Sequence, residues 1–229
     1  MGVWQQWGIL AGLSVVPVLV AVPARGAPVP GPTADKVVTL VQKLYDGTKD
    51  FQAEFDQEYV MAALSRSQRS TGRVAYQRPG RIRFDYLTPQ PKTFAVEGTT
   101  LWVYQPEDQQ ALVDRCFKND AMAASLVFLG GAGRIADQFD TSLEAGEETA
   151  HALRLTPKKP TSAFKSIVLW VDKKTGEVRR SDVEDPSGNP NRFTFKAVRR
   201  NKGLKDDAAR FTPPPGTAVN PMPGSCPSP

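Results

Sequence analysis

The sequence holds one imidazole, His151, in the polar stretch Glu148-Thr149-Ala150-His151-Ala152. A general base needs a second group to orient it, and no such motif surrounds it, so His151 reads as a surface residue. No G-x-S-x-G elbow, H-E-x-x-H pair or P-loop is present. Gly130-Gly131-Ala132-Gly133 resembles a phosphate cradle but lacks the Lys-Ser/Thr that gives such a loop its chemistry. Gly130, Gly131 and Gly133 therefore read as hinges. Glu147-Glu148 and Asp206-Asp207 read as solvated loop charges. The two cysteines, Cys116 and Cys226, have no metal-ligand company. In an oxidising compartment they could form one bridge, and the sequence leaves open whether they meet. The expectation is a protein with no cofactor, no metal and no turnover.

What remains is a cation in an odd place. Val74, Tyr76 and Arg78 are spaced two apart, so in a strand they share a face. Arg78 then lies on the apolar phase, just before Pro79 ends the ladder. Either it snorkels to water at the strand end or its donors are met by something covering that face. Spacing alone does not choose between the two.

The elements around Arg78 follow from periodicity. Residues 72–105 alternate apolar and polar with period two, broken at Pro79-Gly80, Pro89 to Pro91 and Gly98, which predicts an antiparallel meander of about four strands. Residues 51–61 predict a longer strand, and residues 65–70, polar and Arg-rich, a turn. Val37, Val38, Leu40, Val41, Leu44 and Tyr45 recur at helical spacing up to Gly47, and the meander is the candidate for what that helix covers. Residues 120–128 and 134–139 read as short helices around the glycine hinge. About five further strands follow, separated by turns at 173–176 and 186–189. The sum is an α+β chain: a strongly curved antiparallel sheet of about 10–11 strands with short helices over its apolar concave side. Two or three short helices cannot fill so wide a sheet, so an apolar space is left between.

The ends are different. Residues 8–22 form an apolar run too short to span a membrane comfortably, followed by small residues suited to cleavage, so residues 1–26 read as a signal peptide. No Lys or Arg precedes the run, and a retained anchor is the alternative. The domain covers 27–215, and the Pro-rich tail 216–229 is expected to be disordered. The net charge of +5 suits an anionic membrane surface or an acidic partner but lacks the basic and aromatic stripe of a nucleic-acid binder.

The chain resembles the LolA family of periplasmic lipoprotein carriers from about residue 35 to 215. The resemblance rests on Gly72 to Tyr86 with its central Arg78-Pro79, on Glu97-Gly98-Thr99-Thr100-Leu101-Trp102-Val103-Tyr104, on Leu129 to Gly133, and on Phe211-Thr212-Pro213-Pro214. Phe84 departs from the Trp usual there. The resemblance implies an incomplete barrel closed by a helical lid, with Arg78 bonded to lid backbone as a latch. It implies acylated lipoproteins as cargo, an inner-membrane ABC-type release complex as donor, an outer-membrane acceptor, and a monomer in the periplasm. Candidates for an acyl-binding cavity are Phe55, Tyr59, Ile82, Phe84, Phe94, Val96, Trp102, Tyr104, Met122, Leu126, Phe128 and Leu129, each of which could equally be ordinary core. A carrier or sensor of another lipid, or a non-catalytic module binding a partner's segment at a sheet edge, are the other readings.

Overall fold

The computed structural model describes residues 32–117, 134–223 and Cys226. Helix α1 (Ala34–Asp46) buries the stripe Val37, Val38, Val41 and Tyr45 and stops at Gly47, whose N–H bonds to the Lys43 carbonyl. A long hairpin follows, β1 (Asp50–Met61) and β2 (Arg66–Gln77), then β3 (Arg81–Thr88), β4 (Lys92–Glu97), β5 (Thr100–Gln105) and β6 (Gln110–Asp114). After the one-turn helix α2 (Ile135–Gln138) come β7 (Phe139–Glu144), β8 (Ala150–Pro157), β9 (Ser166–Asp172), β10 (Val178–Glu184), β11 (Pro190–Arg200) and β12 (Ala218–Pro221).

These strands form one open sheet in the order β12-β6-β5-β4-β3-β2-β1-β11-β10-β9-β8-β7. Every pairing is antiparallel except β12 with β6. The two long strands β1 and β2 sit near its middle and carry the register for both wings. Within that register Gly72 lies between Phe55 and Tyr86. A Cβ on Gly72 would stand 2.3 Å from the Asp85 carbonyl oxygen and 2.5 Å from Cζ of Phe55. The missing side chain is what lets the Phe55 ring lean across β2 to reach Phe84 and Tyr86 on β3, at centroid distances of 5.6 and 5.0 Å.

Rings also meet over a longer span. Phe84 on β3 and Phe193 on β11 are 6.1 Å apart, yet three strand spacings separate them, about 14 Å in a flat sheet. The sheet is bent between β3 and β11, towards the face that carries these rings.

Four expectations need correction. Residues 66–70 are not a turn but the first part of β2, because Arg66 to Ser70 pair in register with Met61 to Gln57 and the turn shrinks to Ala62–Ser65. Helix α1 does not lie on the meander: it packs against β7 and β8, and the Tyr45 hydroxyl accepts the Val178 N–H of β10. Helical periodicity identifies an apolar stripe but carries no information about its partner. In the Pro-rich tail, Ala218–Pro221 form a strand. Composition predicts disorder there, but Ala218 and Met222 donate N–H bonds to the carbonyls of Gln109 and Val113 along the edge of β6, and Pro221 is tolerated because β12 is itself an edge strand. That makes twelve strands among the described residues, one more than the upper expectation, and one pairing is parallel. The sequence left the cysteines open; in the structure Cys116 and Cys226 are bridged, across a sequence separation of 110 residues.

Two measurements check this frame. Gly72→Val should lower the unfolding free energy by about 1–3 kcal/mol or more, read from urea denaturation, because the new methyls meet backbone and ring with no room to yield. Cys226→Ser should cost about 2–4 kcal/mol in the same assay, since a loop of this length is left unconstrained in the unfolded chain.

Candidate functional site

Residues directly opposite in paired strands share a face, so the register divides the sheet into two surfaces. One surface carries Phe51, Tyr76, Ile82, Val96 and Leu101 across one rung. The next rung is Ala53, Val74, Phe84, Phe94 and Val103, and the next Phe195, Phe55, Gly72, Tyr86 and Lys92. This inner surface is apolar over most of its width. Its β7–β10 wing, with Leu153, Leu155, Ile167 and Leu169 fully buried, is covered by α1. Towards β3 and β4 the cover thins: Ile82, Tyr86 and Phe94 are only partly buried.

The candidate lining residues fall into three groups. Phe55, Phe84 and Val96 are buried on the inner surface, with Ile82 and Phe94 packed beside them and Tyr59 further along β1, its hydroxyl donating to Asp185 at 3.0 Å. Trp102 and Tyr104 do not join them. They pair with Ala95 and Thr93 and so face the opposite, outer surface, where Phe211 covers both at 5.9 and 5.3 Å. The run Leu101 to Tyr104 is apolar at all four positions, so alternation could not phase it; Leu101 and Val103 are the inner members. Met122, Leu126, Phe128 and Leu129, and the hinge glycines Gly130, Gly131 and Gly133, lie outside the described residues.

The outer surface has its own cover. After β11 the chain crosses back over the strands towards β6. Arg83 donates to the Arg210 carbonyl at 2.9 Å and sets its guanidinium 5.8 Å from the Phe211 ring, while Ala209 is buried beneath.

Arg78 is exposed at the end of β2, and its Nη2 donates to the carbonyl of Tyr45 at 2.9 Å, in the last turn of α1. The side chain thus lies at an exposed strand end and also bonds to the helix that covers the neighbouring wing. A cation at a helix C-terminus is favoured by the exposed carbonyls there. Beyond this bond the inner surface offers little chemistry. Burial pushes the phenols of Tyr45 and Tyr86 well above their ordinary range. The Ser181 hydroxyl, opposite Phe193 and Leu169, is fully buried without a hydrogen-bond partner among the described residues. His151 opens β8, where burial and then the Lys173 charge hold it below its usual value. Among the described residues no group of three or more His, Cys, Asp and Glu could hold a metal. Phe193, Phe195 and Val103 belong to the inner surface and are not singled out by the sequence; cross-strand register reveals them.

A model of the family described as "Outer membrane lipoprotein carrier protein LolA" matches residues 46–212. An outer-membrane lipoprotein carrier protein of Dechloromonas aromatica is 29% identical over 183 residues, 78% of this chain and 86% of that one. One from Cupriavidus pinatubonensis is 27% identical over 192 residues, 82% of this chain and 89% of that one. Among solved structures, an uncharacterised conserved protein of Thermus thermophilus superposes with a TM-score of 0.54 at 16% identity, covering 82% of this chain and 99% of that one, which speaks to the fold alone.

The assignment of Trp102 to the outer surface is testable. Phe211→Ala should shift the tryptophan emission to the red and lower the unfolding free energy by about 1–2 kcal/mol, as for a half-buried aromatic, while leaving the binding of a fluorescent fatty acid unchanged.

Proposed function

We infer that this chain, which belongs to the LolA family, carries acylated lipoproteins from the inner membrane to an outer-membrane acceptor. The family match over residues 46–212 carries the reading, and the apolar inner surface of an open, bent sheet supports it. In this account the sheet is an incomplete barrel, its concave side is the cavity, and α1 with the segment before β7 forms the cover. Phe55, Ile82, Phe84, Phe94 and Val96 line the cavity. Residues 1–26 direct the chain to the periplasm and are removed. An inner-membrane ABC-type complex loads it, and the carrier works as a monomer without catalysis.

Magnitudes explain why such a carrier is needed. Burying a methylene gains about 0.8 kcal/mol, so an acyl chain of roughly fifteen methylenes resists water by about 12 kcal/mol. Cargo held with all of that energy would never leave. Opening the cavity must oppose part of it, because a ligand shifts a two-state equilibrium only by its differential affinity. The Arg78 bond to Tyr45 is placed to contribute, since it ties the end of β2 to α1 across the seam between the two wings. A hydrogen bond from a charged donor is worth about 1.5–3 kcal/mol, less where water competes.

Arg78→Leu should therefore load lipoprotein from inner-membrane spheroplasts as the wild type does but pass it to outer-membrane vesicles several-fold more slowly. Equal transfer rates for the two proteins would remove Arg78 from the release step.

A further inference from the structure

The inner surface is not uniformly apolar, and its polarity changes in one direction. Along the β1–β2 hairpin, the rung nearest the turn pairs Met61 with Arg66, the next holds Asn191, Tyr59 and Gln68, and the one after it Phe193, Gln57 and Ser70. Next come Phe55, Tyr86 and Lys92, then Ala53, Val74, Phe84 and Phe94. Amides and hydroxyls thus give way to rings within about three rungs, a distance of roughly 20 Å at 3.4 Å per residue. At the changeover lies a cavity of about 290 Å³, whose lining includes Gln57, Gln68, Asn191, Tyr86, Lys92 and Phe94.

Two of its groups have unspent bonding capacity. The Lys92 ammonium sits 4.7 Å from the Tyr86 ring and 5.4 Å from the Phe94 ring, and makes no ion pair among the described residues. The Tyr86 phenol makes no hydrogen bond among the described residues. A cation resting on ring faces is held there weakly and can turn its three N–H donors to an acceptor that arrives. Gln57 and Asn191 already bond to each other at 2.8 Å, which orients their amides. A ligand suited to this place needs oxygen acceptors for Lys92 and Tyr86, an N–H for the amide carbonyls, and hydrocarbon continuing over Phe94 and Phe84.

We propose that this cavity is the head-group subsite of the carrier, receiving the ester and amide carbonyls of an acylated cysteine and its first peptide N–H groups while the acyl chains run on over Phe94, Phe84 and Phe55. The proposal rests on the lipoprotein-carrier reading above and adds an orientation to it: the peptide leaves at the β1–β2 hairpin end, and the acyl chains point towards the Arg78 end. Ester-linked acyl glycerol also occurs in phospholipids, which lack the peptide N–H groups the Gln and Asn side chains would accept.

The test measures affinities of the chain from residue 27 onward, as wild type, Lys92→Met and Gln68→Leu, for three probes: a synthetic tripalmitoyl-cysteine lipopeptide, dipalmitoylphosphatidylcholine, and 1-hexadecylpyrene, which has no head group. Lys92→Met keeps an apolar stem on the rings and removes only the charge. The expected result is about a tenfold loss of lipopeptide affinity in Lys92→Met, a smaller loss in Gln68→Leu, and unchanged binding of hexadecylpyrene in both. The wild type should prefer the lipopeptide to the phospholipid. Unchanged lipopeptide affinity in both variants overturns the subsite, as does an equal loss for hexadecylpyrene, or equal wild-type affinity for lipopeptide and phospholipid. A wild type that binds hexadecylpyrene but not the lipopeptide overturns the subsite and the lipoprotein reading together, whereas lipopeptide binding indifferent to both substitutions sinks the subsite alone.

Discussion

Phe55 lies over a glycine, and much of the inner surface depends on that contact. With no Cβ at Gly72, the ring crosses β2 and meets Phe84 and Tyr86 on one side, while Phe193 lies on the other at 5.6 Å. Side chains from two strands then converge on one ring, which draws β3 and β11 towards each other and bends the sheet between them. Aromatic pairs at these distances and tilts are favourable in themselves, and they also exclude water from the deepest part of the surface. A side chain at residue 72 would push Phe55 back over its own strand and relax the bend that brings the two wings together.

The two faces of the sheet are finished in different ways. The outer face is closed by the chain's own C-terminal stretch, held by Phe211, by the Arg83 bond to Arg210, by β12 on β6, and by the bridge from Cys116 to Cys226. These contacts involve backbone pairing and a covalent bond and are suited to permanence. Among the described residues the inner face is closed by α1 over one wing, and Ile82, Tyr86 and Phe94 on the other remain partly exposed. A sheet so arranged keeps its solvent side sealed while its apolar side stays available.

Much of this was legible in the sequence, and the failures share a cause. Strict alternation in Ile82, Phe84 and Tyr86 locates β3 and its inner face, and the helical stripe from Val37 to Tyr45 locates α1. Arg78 is recognisable as a cation out of phase. Where alternation lapses, the reading lapses too: Leu101 to Tyr104 has no polar member to set the phase, so Trp102 and Tyr104 are grouped with residues they do not meet. Arg66 to Ser70 looks like a turn because its residues are polar, but polar residues pair as well as apolar ones when a long partner strand is beside them. The C-terminal strand is hidden by its prolines, and the bridge by the impossibility of reading a spatial separation from a linear one. Pairing partners are a property of the whole sheet, and single-strand patterns do not contain them.

Magnitudes also indicate which parts can move when cargo enters. Helix α1 buries Val37, Val38, Val41 and Tyr45, at about 1.5–3 kcal/mol each for full burial, and its Tyr45 hydroxyl satisfies a buried N–H of β10. Lifting it off β7–β10 would cost about as much as one acyl chain returns, and leave nothing for binding. The proposed opening therefore keeps α1 with its own wing and separates that wing from β2–β5. At that seam α1 and the end of β2 share the Arg78 bond to Tyr45, a contact of small energy. A tie of that strength can be broken by cargo and remade after release, which a seam held by further buried leucines could not.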